Sequence, residues 1–495
     1  MTSKIGRRNM LLAMAGAMGT TALGSALGRA AGERAGSNAD KDRKLLFVLC
    51  ATGGASIVDS FLPVTRSEVG DDARADTLNA YEDDKVITPT GSNLRCPGYF
   101  ESVGLLAGLY ETTYSLDGFL KKHHPWTTVL TQECSSVNHS VGQHRSVTGA
   151  GINRGRTIME AMAVRHGEDL IIPNCNMAND GYIQPGVDPS MPAFARAEII
   201  ASPLGFAAAM DGVKGVVGAP GRGLVERARG VREQLDDAST FGRTFADSPR
   251  RQRFLANRRE VQPRLESANL MDRLTLLPPE LLDPKYGVMS SPLLPTLASK
   301  FSNMLVDPWE SQAALSVLLA YYGLSCVSTI GLRQEPTFGN EKLITTPIAF
   351  DFSHSDHRIA QYLMWGHVLR TIDALVDLLQ QLDYLGDPAL GKMWDRSMIY
   401  VATDFGRDKT RPAGAESWGT GHSLNNGTLI VSPLLKGNRV FGGIEPTTCE
   451  TYGFDGSTGD ADPKLECSEG HIYSAIAQAM DIEFPERFDM SALLA

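Results

Sequence analysis

Three short stretches concentrate the side chains that carry metal or hydrolytic chemistry. The densest is Asp351-Phe352-Ser353-His354-Ser355-Asp356-His357, two aspartates and two histidines in one run. Carboxylate and neutral imidazole are ligands for zinc, manganese or another divalent ion, and a loop lets such groups converge where a rigid helix does not. A second set runs from Thr403-Asp404-Phe405-Gly406-Arg407 to Trp418-Gly419-Thr420-Gly421-His422-Ser423. Here Arg407 suits a bidentate grip on phosphate or sulfate; in the other reading, Asp404 caps a turn and Arg407 sits in an ion pair. The third is Asn138-His139-Ser140, followed by Gln143-His144-Arg145. It has the form of a helix start, with Asn or Ser as cap and a positive end facing any bound anion. His139 and His144 read equally well as capping or solvent-facing residues.

The elements that must position these groups alternate between strands and helices. Leu45-Leu46-Phe47-Val48-Leu49-Cys50 is a continuous apolar run ending in Ala51-Thr52-Gly53-Gly54, the pattern of a buried parallel strand entering a tight turn. Similar runs lie at 127–131, 324–330, 398–402 and 428–431, and each reactive stretch falls at or just after such a strand end. Ligands of open α/β sheets bind there. From His357 to Tyr384 apolar residues recur with a helical period, up to the stop signal Gly386-Asp387-Pro388. The segment 224–295 is highly charged to about Asn269 and closes at Pro278-Pro279 and Ser290-Ser291-Pro292, which predicts a helical insertion into a domain spanning 41–495.

Acidic residues exceed basic ones by 57 to 47, and no Lys/Arg cluster interleaves with aromatics, so a nucleic-acid partner is not expected. The seven cysteines form no C-x-x-C pair. Cys50 and Cys326 lie in apolar runs and read as core thiols, while a bridge between Cys449 and Cys467 is as open as two free thiols. Residues 1–40 carry Arg7-Arg8 ahead of Leu11-Leu12 and a small-residue stretch to about Leu27, the form of a twin-arginine signal peptide and linker. That predicts passage through the twin-arginine translocase to the periplasm or beyond, with cleavage near Ala26, Gly28, Ala30 or Ala31, and no stable membrane span.

The order of these pieces (twin-arginine leader, strand with Gly53-Gly54, Asn138-His139, Asp351 to His354, Asp404-Phe405-Gly406-Arg407, Gly421-His422) resembles the exported DUF1501 family over nearly the whole mature chain. That family's Gly-Trp-Asp-Thr-His element corresponds to Ala349-Phe350-Asp351 with His354, its Glu-Phe-Gly-Arg to Asp404 through Arg407, and its Asp-His-Gly-like element to Gly421-His422. Two positions depart from the pattern: the family's Gly-Gly-Ala-Asp reads Gly53-Gly54-Ala55-Ser56, with Asp59 the next carboxylate, and the nucleophile position holds His139 and Ser140. The resemblance implies an α/β three-layer sandwich like that of alkaline phosphatases and sulfatases. It implies a divalent ion (zinc, manganese or calcium) on Asp351, His354 or His357, Asp404 and His422, with Arg407 neutralising charge and Ser140 as nucleophile beside His139. The substrate would be an anionic phosphate or sulfate ester or a glycan; the alternative is a catalytically inactive binding or structural protein on the same fold.

Overall fold

The protein is described by a computed structural model over residues 38–98, 114–207, 222–252, 254–255, 270–331 and 349–495. The leader up to residue 37 and its cleavage positions lie outside the described residues. Leu45–Ala51 (β1) is buried at every position, as its unbroken apolar run requires. It lies inside an eight-stranded sheet with Thr127–Glu133 (β2), Asn174–Asn176 (β3), Glu198–Ile199 (β4), Val327–Gly331 (β5), Ser397–Thr403 (β6), Asn425–Val431 (β7) and Arg439–Phe441 (β8), in the order β8-β2-β7-β6-β1-β5-β3-β4. β1 runs parallel to β5 and β6, with Ala51 opposite Thr403. β7 is antiparallel to both β2 and β6. Its start therefore lies at the carboxyl ends of β2 and β6, with Asn425 opposite Glu133.

The helices that concern the site are Leu116–His123 (α1), His139–Thr148 (α2), Ile158–His166 (α3), Arg222–Ala238 (α4), Pro308–Tyr321 (α5), His357–Gln381 (α6) and Glu469–Ala479 (α7). α6 packs on α1 and α5, and α2 packs on α3 and α7. The result is an α/β arrangement around a mostly parallel sheet, compatible with a three-layer sandwich. α6 ends at Gln381, short of the expected Tyr384; short 3₁₀ turns at Tyr384–Gly386 and Pro388–Leu390 carry the chain on. The ring of Pro388 and its missing N–H forbid helix there, and Leu385 sits at φ 56°, a left-handed conformation that breaks the α-helical run earlier.

Within 224–295, α4 exposes Leu224, Val231 and Leu235, whereas Leu270–Leu274 returns to the core through Leu270, Met271 and Leu274. Residues 253 and 256–269 lie outside the described residues. All seven cysteines are free and buried, so the Cys449–Cys467 bridge does not form and both thiols sit in the core, as Cys50 and Cys326 do. Among the described residues no helix is long and apolar enough to cross a membrane.

Candidate metal centre

The reactive stretches meet at the carboxyl end of β1 and β6. β1 ends in a turn that only glycine tolerates: Gly53 has φ +101°, and a Cβ there would lie 2.3 Å from the backbone nitrogen of Asp351. Gly54, at φ +80°, lets Arg407 and Phe405 approach where a Cβ would lie 2.8 and 2.9 Å from them. The amides of Gly53 and Gly54 donate to the two oxygens of Asp404, which follows β6, at 3.1 and 2.6 Å. His139 is the first residue of α2, whose cap is Asn138, accepting from the Val141 amide at 3.2 Å.

Around this frame four side chains converge. The Nδ1 of His139 lies 2.7 Å from Asp404 Oδ2, and its Nε2 lies 3.3 Å from Asp351 Oδ1. His354 Nε2 lies 3.3 Å from the same Asp351 oxygen and 2.8 Å from His422 Nε2. His422 Nε2 is 4.0 Å from Asp351 Oδ1, and its Nδ1 donates to the carbonyl of Val137 at 2.9 Å. One ligand atom from each of His139, Asp351, His354 and His422 falls within 4.8 Å of every other. Their side chains keep 22, 28, 44 and 21 % of their surface, so the cluster opens to solvent on one side.

Arg407 closes the opposite side. Its guanidinium is buried, donates to Asp351 Oδ1 at 2.9 Å and to the carbonyl of Gly53, and lies 3.3 Å from His354 Nε2. A two-residue antiparallel bridge sets His422 directly across from Arg407. Phe405 supplies a wall between them: its ring stacks on His422 at 4.0 Å and meets His139 at 4.7 Å between centroids.

The charges are mutually set. Burial works against a charged His139, but its bonds to Asp351 and Asp404 outweigh this and lift its pKa to about 9. Burial likewise penalises the Asp351 carboxylate, yet His139 and Arg407 hold it well below the usual carboxylate range. His422 is pushed down by burial and by the neighbouring Arg407, despite the bond to Val137, which keeps its imidazole neutral. The proton on His139 Nε2 occupies the point where a cation would take its place.

The constellation brings together His139, Asp351, His354, Arg407 and His422 and leaves three expected residues elsewhere. Asp404 is fully buried behind His139, its oxygens already taken by two backbone amides and the imidazole, so it does not face the ligand cluster. His357 starts α6, three residues beyond His354, and the turn between them directs it inward: its Nε2 lies 3.0 Å from Asp59, and its Nδ1 lies 3.3 Å from the Thr420 hydroxyl. Asp59 also accepts from Asn79 at 2.7 Å and Tyr81 at 2.6 Å. This buried network anchors the loop that carries His422 and explains why Asp59 stands apart from the ligands. Ser140 is exposed on α2, one position past His139, and takes no part in the hydrogen-bonded cluster. Sequence alone gives no sign of the wall that Phe405 supplies, because an aromatic two residues before an arginine reads as core. No protein-family profile, curated protein or solved structure matches the chain.

Proposed function

We propose that this chain is an exported metal-dependent hydrolase of phosphate or sulfate esters, related in fold to the alkaline phosphatases and sulfatases through the DUF1501 family. The observation that carries the reading is the spacing of the four ligand atoms. Metal–ligand bonds of about 2.0–2.1 Å in a tetrahedron put neighbouring ligand atoms about 3.3 Å apart. Four of the six separations are 2.8, 3.3, 3.3 and 4.0 Å and bracket that value, and the other two lie within 4.8 Å. Three imidazoles with one carboxylate suit zinc or manganese; calcium takes oxygen ligands and fits this set poorly.

A divalent ion held by His139, Asp351, His354 and His422 would polarise an ester and supply a nucleophilic water. Arg407, buried behind Asp351 on the side away from solvent, would neutralise charge at the cluster from a distance, and its burial fixes it in advance of substrate. Its bond to the Gly53 carbonyl keeps the guanidinium aimed at the cluster. The exposed flank at His354 leaves the approach for substrate. Hydrolysis of p-nitrophenyl phosphate and p-nitrophenyl sulfate by the mature protein, with and without added zinc or manganese, tests the reading. Turnover that needs the metal and falls at least about a hundredfold in Arg407→Gln supports it. Metal binding without turnover of either ester would sink the hydrolase and leave a catalytically inactive binding or structural protein on the same fold.

A further inference from the structure

We propose that Asp404 is a positioning residue for the metal centre: it fixes the ring of His139 so that Nδ1 carries the proton and Nε2 faces the ion. The inference rests on the metal-binding reading above and departs from a ligand role for Asp404 itself. The side chain is wholly buried, and every group against it is a donor: the amides of Gly53 and Gly54, the hydroxyl of Thr403 at 3.4 Å, and His139 Nδ1 at 2.7 Å. A carboxylate accepts only, so Nδ1 must present a hydrogen to the buried Asp404; the hydrogen that Nε2 directs at Asp351, 3.3 Å away, is then the one a cation displaces to take the lone pair. Carboxylate, imidazole and cation in line is the arrangement that orients ligating histidines and strengthens them. The same carboxylate clamps the turn at the end of β1, so one residue couples backbone to ligand. The close approach is prepared from α2 as well: a Cβ on Gly142 would lie 2.4 Å from the carbonyl oxygen of Asp404.

Asp404→Asn puts an amide among donors. Where its nitrogen faces His139 the ring must accept at Nδ1, which turns an N–H toward the cluster and removes a ligand. Zinc affinity of the full mature protein, measured by competition with a chromophoric chelator, is expected to fall about 10- to 100-fold in Asp404→Asn with the circular dichroism spectrum unchanged. In a His139→Ala background the same substitution should change affinity less than about twofold, because Asp404 acts through His139. Equal losses in both backgrounds mark a merely structural role and overturn the proposal. Wild-type protein that takes up no zinc overturns the metal reading, and this proposal with it, whereas zinc uptake undiminished in Asp404→Asn overturns this proposal alone. If Asp404→Asn does not fold, long-range ¹H–¹⁵N correlation on the zinc-loaded, histidine-labelled wild type decides: a protonated Nδ1 on His139 is expected, and a zinc-bound Nδ1 contradicts it.

Discussion

Asp351 Oδ1 accepts from Arg407 and faces both His139 and His354, so this single oxygen links the guanidinium to the cluster. Removing the carboxylate leaves a buried arginine without its ion pair, a loss of about 3–5 kcal/mol when such a pair is fully buried and less here, where Asp351 is partly exposed. Asp351→Ala should therefore lower the melting temperature, while Asp351→Asn, which keeps a hydrogen-bond acceptor for Arg407 but not the charge, should lower it less and also lose metal. A differential scanning measurement of the pair checks this, and an Asp351→Asn protein as unstable as Asp351→Ala would contradict it. Gly53→Ala is expected to cost at least about 1–3 kcal/mol from the positive φ, before counting the clash with the Asp351 backbone. Chemical denaturation of that variant provides the test.

At the scale of elements, long runs were legible and short ones were not. β1, β2, β5, β6, β7 and α6 each carry a continuous apolar run or a helical period, and most residues expected there lie in those elements, although 324–326 precede β5 and 382–384 follow α6. β3, β4 and β8 are two or three residues long, too short to show either signal. The site divides similarly. Asp351, His354, Arg407 and His422 stand out by residue type at strand ends, and they do meet. The inward turn of His357 follows from a tertiary partner, Asp59, almost three hundred positions away in the chain, which no local spacing reveals. The bearing of α6 on the site runs through Trp365, whose ring meets Phe61 and Phe350 edge-on at 5.8 and 5.5 Å, next to Asp351. Trp365→Ala should cost about 3–5 kcal/mol and loosen the Asp351 turn. Urea denaturation checks the stability, and faster amide exchange at Phe350 and Asp351 checks the turn.

For the whole molecule, buried histidines and thiols govern response to solution conditions. Burial pushes His166 down to about 4, against the raising effect of its bond to the Met480 carbonyl at 2.8 Å, and burial brings His367 to about 3. Both are neutral when folded, whereas the unfolded chain takes up their protons near pH 6.5. The unfolded state thus binds more protons below that pH, and stability present above about 6.5 is lost as pH falls toward 4, by on the order of 3 kcal/mol from His166 alone. Equilibrium unfolding at a series of pH values should show this slope, and His166→Gln should flatten it. The seven buried free cysteines predict slow reaction with a thiol reagent in the native state and seven equivalents after denaturation without reductant; five would mean a disulfide.

The spacing of His139, Asp351, His354 and His422 leads us to expect one divalent ion held among them. Elemental analysis of the protein, equilibrated with zinc and freed of excess, checks this when run beside His354→Ala, the most exposed of the four and the least costly to remove. One equivalent of metal in the wild type and a clear loss in His354→Ala is expected. A well-folded wild type without metal, or a variant that retains the full equivalent, would contradict it.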